Sequence, residues 1–210
     1  QGDSILLNLP TGEKILIDGG GKAGFTNDQG NVVLLPYLKH KGIKKLDLGV
    51  ITHFDTDHAL GIISLLEEDK LKALLIPKNH SKNNLYHQAM KLASENGIKI
   101  YEAQRGDLIK NSNVFLSIIH PYPQNNYLVT NRNNNSIVIK ITYYNFSLLL
   151  TGDLEKEGEL KLINSGDDLK SQILKLGHHG SDSSSSSQFL KKVKADEAII
   201  SVGDNNYGHP

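Results

Sequence analysis

Three apolar runs in this chain end the same way. LDLGVITH (46–53) continues into FDTDHALG, FSLLLTGD occupies 146–153, and ILKLGHHGS occupies 173–181. Each reads as a buried strand whose last residues are Asp or His. The recurrence constrains the chain more than any one segment does, because several strands must end among carboxylates and imidazoles.

The first run is the densest, with His53, Asp55, Asp57 and His58 inside six residues. In a locally extended segment His53 and Asp55 point the same way, two residues apart. Asp57 and His58 begin the following helix and project toward a second point, so one loop supplies two ligands to each of two ions. The ordinary alternative is a capped helix, with Thr56 or Asp57 as the N-cap. Four ligand types at this spacing favour the metal. Closing two sites needs more donors, and the other strand ends offer Asp153 and the pair His178 and His179. The alternative for Asp153 is again a helix N-cap. Adjacent histidines point apart in an extended chain, so one of the pair is expected to bind metal and the other to face substrate.

The remaining pattern is mixed. Residues 4–9 and 14–20 form an apolar hairpin about the turn PTG, and a Gly- and Asn-rich loop covers 19–31. Helices are expected toward the end of 32–42 and over 58–70, 83–97, 155–166 and 187–195. Strands are expected within 72–77, 98–103, 171–180 and 197–203, and an antiparallel set within 114–121, 135–144 and 146–153. Strands outnumber helices and the helices are interspersed, which predicts an α+β chain of two sheets packed face to face with helices outside. No boundary divides the 210 residues, and SDSSSSS is too short for a linker.

Composition narrows the chemistry. With no cysteine, disulfides, zinc ribbons and thiol nucleophiles are excluded, and any metal falls to His and Asp. Such donors suit zinc, manganese or iron. Lys+Arg and Asp+Glu balance at 23 each, so no global field favours a polyanion. Only Arg105 and Arg132 are arginines, which limits bidentate phosphate clamps. The basic clusters 39–45 and 191–194 read as solvated helix surfaces. No apolar run approaches twenty residues and no signal peptide is present. The abrupt start inside a strand pattern is compatible with a piece of a longer protein.

THFDTDHALG, TGD, KLGHHGS and ISVGDNNYGHP together resemble the metallo-β-lactamase superfamily, and within it the β-lactamase-like domain of the ComEC/Rec2 competence proteins. The opening QGDSILLNLPTGEKILIDGG resembles that group too, so the likeness covers nearly the full chain. It implies a four-layer αββα sandwich, two mixed sheets with outer helices, forming a single domain over 1–210. It implies two divalent ions, zinc or manganese: His53 and Asp55 on the first, Asp57, His58 and His179 on the second, Asp153 bridging. A hydroxide between the ions would be the nucleophile, with Asp57 and His178 as the catalytic side chains and His178 touching a phosphate oxygen or protonating the leaving group. His209 would line the same mouth, with a chain-end residue packing beside Pro210 as the equal alternative. Asn135, Ser136 and Ser181 are the other candidates to line the substrate, the serines from Ser181 reading as flexible loop, a movable edge of the cleft, more than as catalytic groups.

One departure bears on the metal. The superfamily's usual H-x-H-x-D-H has Asp55 here in place of its second His, and Asn135 and Ser136 stand near the place of a separate His; His120 is expected to end a strand. More oxygen and less nitrogen weakens zinc's advantage over manganese. The resemblance implies cleavage of DNA, the single strand above all, by a domain linked to a membrane channel and facing outward; a standalone form would be cytoplasmic. Small phosphoesters such as phosphorylcholine esters, or lactams and lactones, are the alternative substrates, though five Phe, eight Tyr and no Trp supply an aromatic box poorly.

Overall fold

A computed structural model of the chain describes residues 2–21, 30–78, 82–123, 131–205 and 208–210. It divides into two compact units, Gln1–Ile76 with His80–Glu102 and Pro77–Asn79 with Ala103–Pro210. The fold is α+β, with two mixed sheets accompanied by helices.

In the first unit the PTG turn closes a hairpin, pairing β1 (Ile5–Asn8) antiparallel to β2 (Lys14–Ile17). β3 (Leu48–Val50) and β4 (Ala73–Pro77) then add in parallel, and β5 (Lys99–Ala103) completes the order β1-β2-β3-β4-β5. Continuous apolar runs suit parallel strands covered on both faces. α2 (Thr56–Glu67) buries Ala59, Ile62, Ile63, Leu65 and Leu66. α3 (Asn84–Glu95) is the amphipathic helix its pattern predicts, capped by Asn83, whose Oδ1 accepts from the Tyr86 amide at 3.0 Å. These helices pack with Leu16, Ile51, Phe54, Leu71, Leu74 and Ile76 into one core. The helix expected toward the end of 32–42 is α1 (Leu35–His40), preceded by a π-turn over Gly30–Leu34. Of the predicted loop 19–31, residues 22–29 lie outside the described ones.

Two glycines decide how the end of β2 meets α2. A Cβ on Gly61 would stand 2.0 Å from the Gly19 carbonyl oxygen, and a Cβ on Gly19 would stand 2.3 Å from the Ile62 nitrogen. Any side chain at either place would push the helix off the strand end.

The second unit holds a six-stranded sheet of order β11-β10-β9-β8-β7-β6. β6 (Leu108–Asn111), β7 (Val114–His120), β8 (Val138–Tyr143) and β9 (Phe146–Leu150) run antiparallel. β10 (Ile173–Lys175) runs parallel to β9, and β11 (Glu197–Ile199) parallel to β10. The three-stranded antiparallel set is as expected. β6 has no counterpart in the sequence reading: LIKN is short and pairs only through a tight turn at Ser112, where φ is 53°. α4 (Lys156–Asn164) and α5 (Ser187–Val193) cover a core of Val138, Leu149, Leu154, Leu162, Leu174 and Phe189. Arg105 is spent internally, its guanidinium bonded twice to Asp167 at 2.9 Å.

The serine run is hydrogen-bonded into the fold. Ser184 Oγ donates to the Gly177 carbonyl at 2.7 Å, and Ser186 Oγ caps α5 by accepting from the Phe189 amide at 3.3 Å. The backbone N–H groups of Ser185 and Ser186 both donate to the buried Glu159 carboxylate. Small hydroxyl side chains suit such turns because they bond backbone locally, a use that composition alone does not reveal.

Candidate metal centre

The parallel strands of the first unit deliver their polar residues at their C-terminal ends. Asp18 follows β2 and the pair Thr52 and His53 follows β3; all three are buried. Asp18 Oδ1 accepts from the Thr52 amide at 2.8 Å, and Oδ2 accepts from the Thr52 hydroxyl at 2.7 Å. The same Oδ2 lies 2.8 Å from His58 Nδ1, and Thr52 Oγ1 lies 3.1 Å from His53 Nδ1. The Thr52 proton is committed to Asp18, so its oxygen accepts from His53 Nδ1–H. A carboxylate only accepts, so His58 Nδ1 also bears the proton. Neutral rings in that tautomer carry their lone pair on Nε2. A carboxylate or hydroxyl behind Nδ1 is how proteins orient a metal-binding imidazole.

The two rings stand 4.2 Å apart between centroids, and His53 Nε2 is 4.0 Å from Asp55 Oδ2. His53 and Asp55 thus face the same way, as the extended reading expects. Asp55, not Thr56 or Asp57, occupies the N-cap of α2, and its side chain makes no capping hydrogen bond. Asp57 sits in the first turn of the helix. Asp3 joins from ahead of β1: it is buried, and it offers a ligand atom within 4.8 Å of one from Asp18 and one from His58.

In the second unit Asp153 lies two residues before the α4 N-cap, Glu155. The capping bonds come from elsewhere, since Asn134 Oδ1 accepts from the Glu155 and Gly158 amides at 3.1 and 3.2 Å. The N-cap alternative therefore fails for Asp153. Its amide donates to Ser136 Oγ at 3.1 Å, which gives Ser136 a part in holding this turn. Asp153 Oδ2 stands 3.5 Å from His179 Nε2, and Oδ1 stands 3.9 Å from the buried Lys175 ammonium. That ammonium also donates to the Gly152 carbonyl at 3.1 Å.

The histidine pair is not extended. His178 and His179 adopt φ values of 46° and 53° in a 3₁₀ turn, a left-handed bend that non-glycine residues rarely adopt, and their ring centroids lie 6.2 Å apart. Strained backbone of this kind concentrates at functional sites. His179 Nδ1 donates to the Ser201 carbonyl at 2.8 Å, which again puts the lone pair on Nε2. His178 Nδ1 meets Ser183 Oγ at 2.9 Å and the Glu155 carboxylate at 3.3 Å. The His209 ring lies 5.5 Å from that of His178 and 6.0 Å from that of His179, so His209 gathers with the pair. Ser181 closes the turn, its hydroxyl 3.2 Å from that of Ser183. Asn135 is buried, and its Oδ1 has no hydrogen-bond partner among the described residues. His120 ends β7 as expected, buried, its Nδ1 donating to the Ser136 carbonyl at 2.8 Å. Burial pushes its pKa down to about 4, against the raising effect of that bond, and the Lys161 charge adds to the lowering.

Sequence reasoning missed Asp3, Asp18, Thr52, Glu155 and Lys175. KILIDGG already showed the signal for Asp18, since it too is an apolar strand ending in Asp. Lys175 hides inside an apolar run. Throughout, the donors are imidazole nitrogen and carboxylate oxygen, several of them buried, a set that fits divalent zinc or manganese.

A family model described as the metallo-beta-lactamase superfamily matches residues 1–204. The chain belongs to the metallo-β-lactamase superfamily. Among its relatives, ComE operon protein 3 of Bacillus subtilis is 36% identical over 222 residues, covering 100% of this chain and 28% of that protein. Competence protein ComA of Neisseria gonorrhoeae is 30% identical over 181 residues, covering 84% of this chain and 23% of its own length. The chain thus spans about a quarter of these relatives, and its likeness is to the β-lactamase-like part of the ComEC/Rec2 competence proteins. The metallo-β-lactamase fold protein YhfI of Bacillus subtilis shares the fold, with a TM-score of 0.56 at 14% identity over 96% of this chain and 81% of that one.

Proposed function

We propose that the chain is a binuclear metal-dependent phosphodiesterase that degrades single-stranded DNA, as one domain of a membrane-bound competence protein. The observation that carries the reading is the common tautomer of His53, His58 and His179, each with an acceptor behind Nδ1. That arrangement prepares Nε2 as a ligand. His53, Asp55, Asp57 and His58 in the first unit, and Asp153 and His179 in the second, are the residues that would hold the ions. Two bound divalent ions, zinc or manganese, supply an acidified water and polarise the phosphoryl oxygens.

The chain's own side chains do the rest. Asp57 orients the attacking water. His178, held at Nδ1 by Ser183 and Glu155, would as the imidazolium pass its Nε2 proton to the leaving oxygen and be left neutral. The buried Asn135 oxygen accepts a hydrogen bond from a water or substrate hydroxyl, and His209 and Ser181 bound the substrate. DNA as substrate rests on the relatives named as competence proteins. No helix among the described residues is long and apolar enough to cross a membrane. The channel would therefore belong to the three-quarters of the relatives' length that this chain does not span, with this domain on the outer face.

The test is digestion of end-labelled single-stranded DNA with Mn²⁺ or Zn²⁺, Asp57→Ala serving as control. Cleavage by the wild type alone is expected. Hydrolysis of a small chromogenic phosphodiester with the DNA left intact would reject DNA and favour a small-phosphoester hydrolase.

A further inference from the structure

The lysines of 39–45 do not form an isolated solvated face. In the first unit Lys41, Lys44 and Lys45 share with Lys14 and Lys72 an open groove of about 790 Å³, with Asp47 between them. Lys14 opens β2, Lys45 and Asp47 precede β3, and Lys72 precedes β4. The groove therefore lies at the N-terminal ends of the same parallel strands whose C-terminal ends deliver Asp18 and His53. Asp18, just past the end of β2, is four positions on from Lys14, about 13 Å at the rise of a strand.

Charges in the groove are unevenly committed. Asp47 Oδ1 accepts from the Lys72 ammonium at 2.7 Å, and Oδ2 from the Lys14 amide at 2.8 Å. Burial works against the ionised form of Asp47, yet Lys72 and the Lys14 amide hold its carboxyl below the usual carboxylate range. Lys45 pairs with Asp69 at 2.6 Å. Lys41 and Lys44 make no ion pair among the described residues, and the Lys14 ammonium donates only to the Gly12 carbonyl, at 3.0 Å. Lys41 and Lys44 thus have charge to spare, in a mainly polar groove whose five lysines outnumber its two carboxylates, Glu13 and Asp47.

We propose that this groove binds the phosphate backbone of single-stranded nucleic acid, as a second contact remote from the strand ends that deliver Asp18 and His53. Lysines act as point charges on phosphate, without the fixed fork that arginine would impose. With no aromatic side chain in the lining, bases have nothing to stack on, so the contact is indifferent to sequence. A concave surface suits a chain laid into it better than a flat lipid headgroup layer. The proposal rests on the nuclease reading for its choice of polyanion, and it explains how a chain of zero net charge grips one.

The test is binding of a labelled oligothymidylate to the 210-residue chain in EDTA, with salt varied, for wild type and the exposed-lysine variant Lys41→Gln/Lys44→Gln. Each phosphate contact on a single strand contributes a slope of about −0.7 in log K against log salt. Removing two should flatten the slope by about 1.4 and weaken binding roughly tenfold at low salt. Lys191→Gln/Lys192→Gln on α5 should leave both unchanged, and hydrolysis of a small chromogenic diester should be unaffected by either pair. Equal binding by wild type and the groove variant overturns the proposal. So does loss of binding to anionic phospholipid vesicles with oligonucleotide binding intact, which would assign the groove to a lipid surface. If the wild type binds DNA in a Lys41- and Lys44-dependent way but hydrolyses neither substrate, the nuclease reading fails and the groove stands.

Discussion

Replacing Lys175 by Met isolates the electrostatics at Asp153 from its packing. The ammonium is buried, 3.9 Å from Asp153 Oδ1 and 3.1 Å from the Gly152 carbonyl. Met keeps most of the side-chain volume, so the cavity term is small. At that separation the attraction is about 4 kcal/mol at an effective dielectric near 20. Breaking a buried pair from one side costs about 3–5 kcal/mol, because the carboxylate stays buried and loses that counter-charge. In a chain of this size that lowers Tm by roughly 10 °C. The assay is thermal unfolding of wild type and variant in EDTA and again with Mn²⁺ or Zn²⁺. Because a cation at Asp153 would replace the missing charge, the deficit should shrink on adding the ion. A deficit under about 1 kcal/mol in EDTA would show that Asp153 does not depend on Lys175 for compensation. An equal deficit with and without ions would refute Asp153 as a ligand.

Thr52→Val removes the hydroxyl that links Asp18 to His53, and metal affinity measured by calorimetry should fall about 10- to 100-fold, as for other outer partners of ligating histidines. Unchanged affinity would detach the brace from the metal. Gly61→Ala should destabilise by roughly 1–3 kcal/mol in urea unfolding, because its Cβ would meet the Gly19 carbonyl at 2.0 Å; in an open helix the same change would stabilise by about 1 kcal/mol, so the sign decides. His120 titrates at about 4 in the folded chain against 6.5 unfolded. Its lowered pKa means that the unfolded chain takes the proton first: stability is highest above about pH 6.5 and falls toward pH 4, by about 3 kcal/mol in all. His120→Gln should flatten that part of the urea-unfolding profile, and a profile as steep as the wild type's would count against the burial argument.

What local chemistry encodes, the sequence showed. Apolar runs ending in Asp or His marked β3, β9 and β10 and the residues after them, because a buried strand leaves its polar residues only at its end. The PTG hairpin, the amphipathic α3 and the antiparallel set β7 to β9 follow from period and turn residues in the same way. The superfamily was legible for the same reason, since its motifs are those strand ends. LIKN of β6 was not legible, for four residues without clear alternation become a strand only when β7 offers a ladder.

Only tertiary structure decided which polar residues stand behind the ligand candidates. Asp18 and Thr52 are 34 residues apart in sequence, and parallel pairing of β2 with β3 makes them neighbours. Parallel pairing of β3 with both β2 and β4 gathers Lys14 and Lys72 beside Lys41, Lys44 and Lys45, turning what reads as a solvated face into a groove. Lys175 looked like a strand position, and the serine run looked like loose filler, until Asp153 and Glu159 supplied their partners. A carboxylate or ammonium advertises its type in the sequence; its partner is chosen by sheet register and burial, and these exist only once the chain has folded.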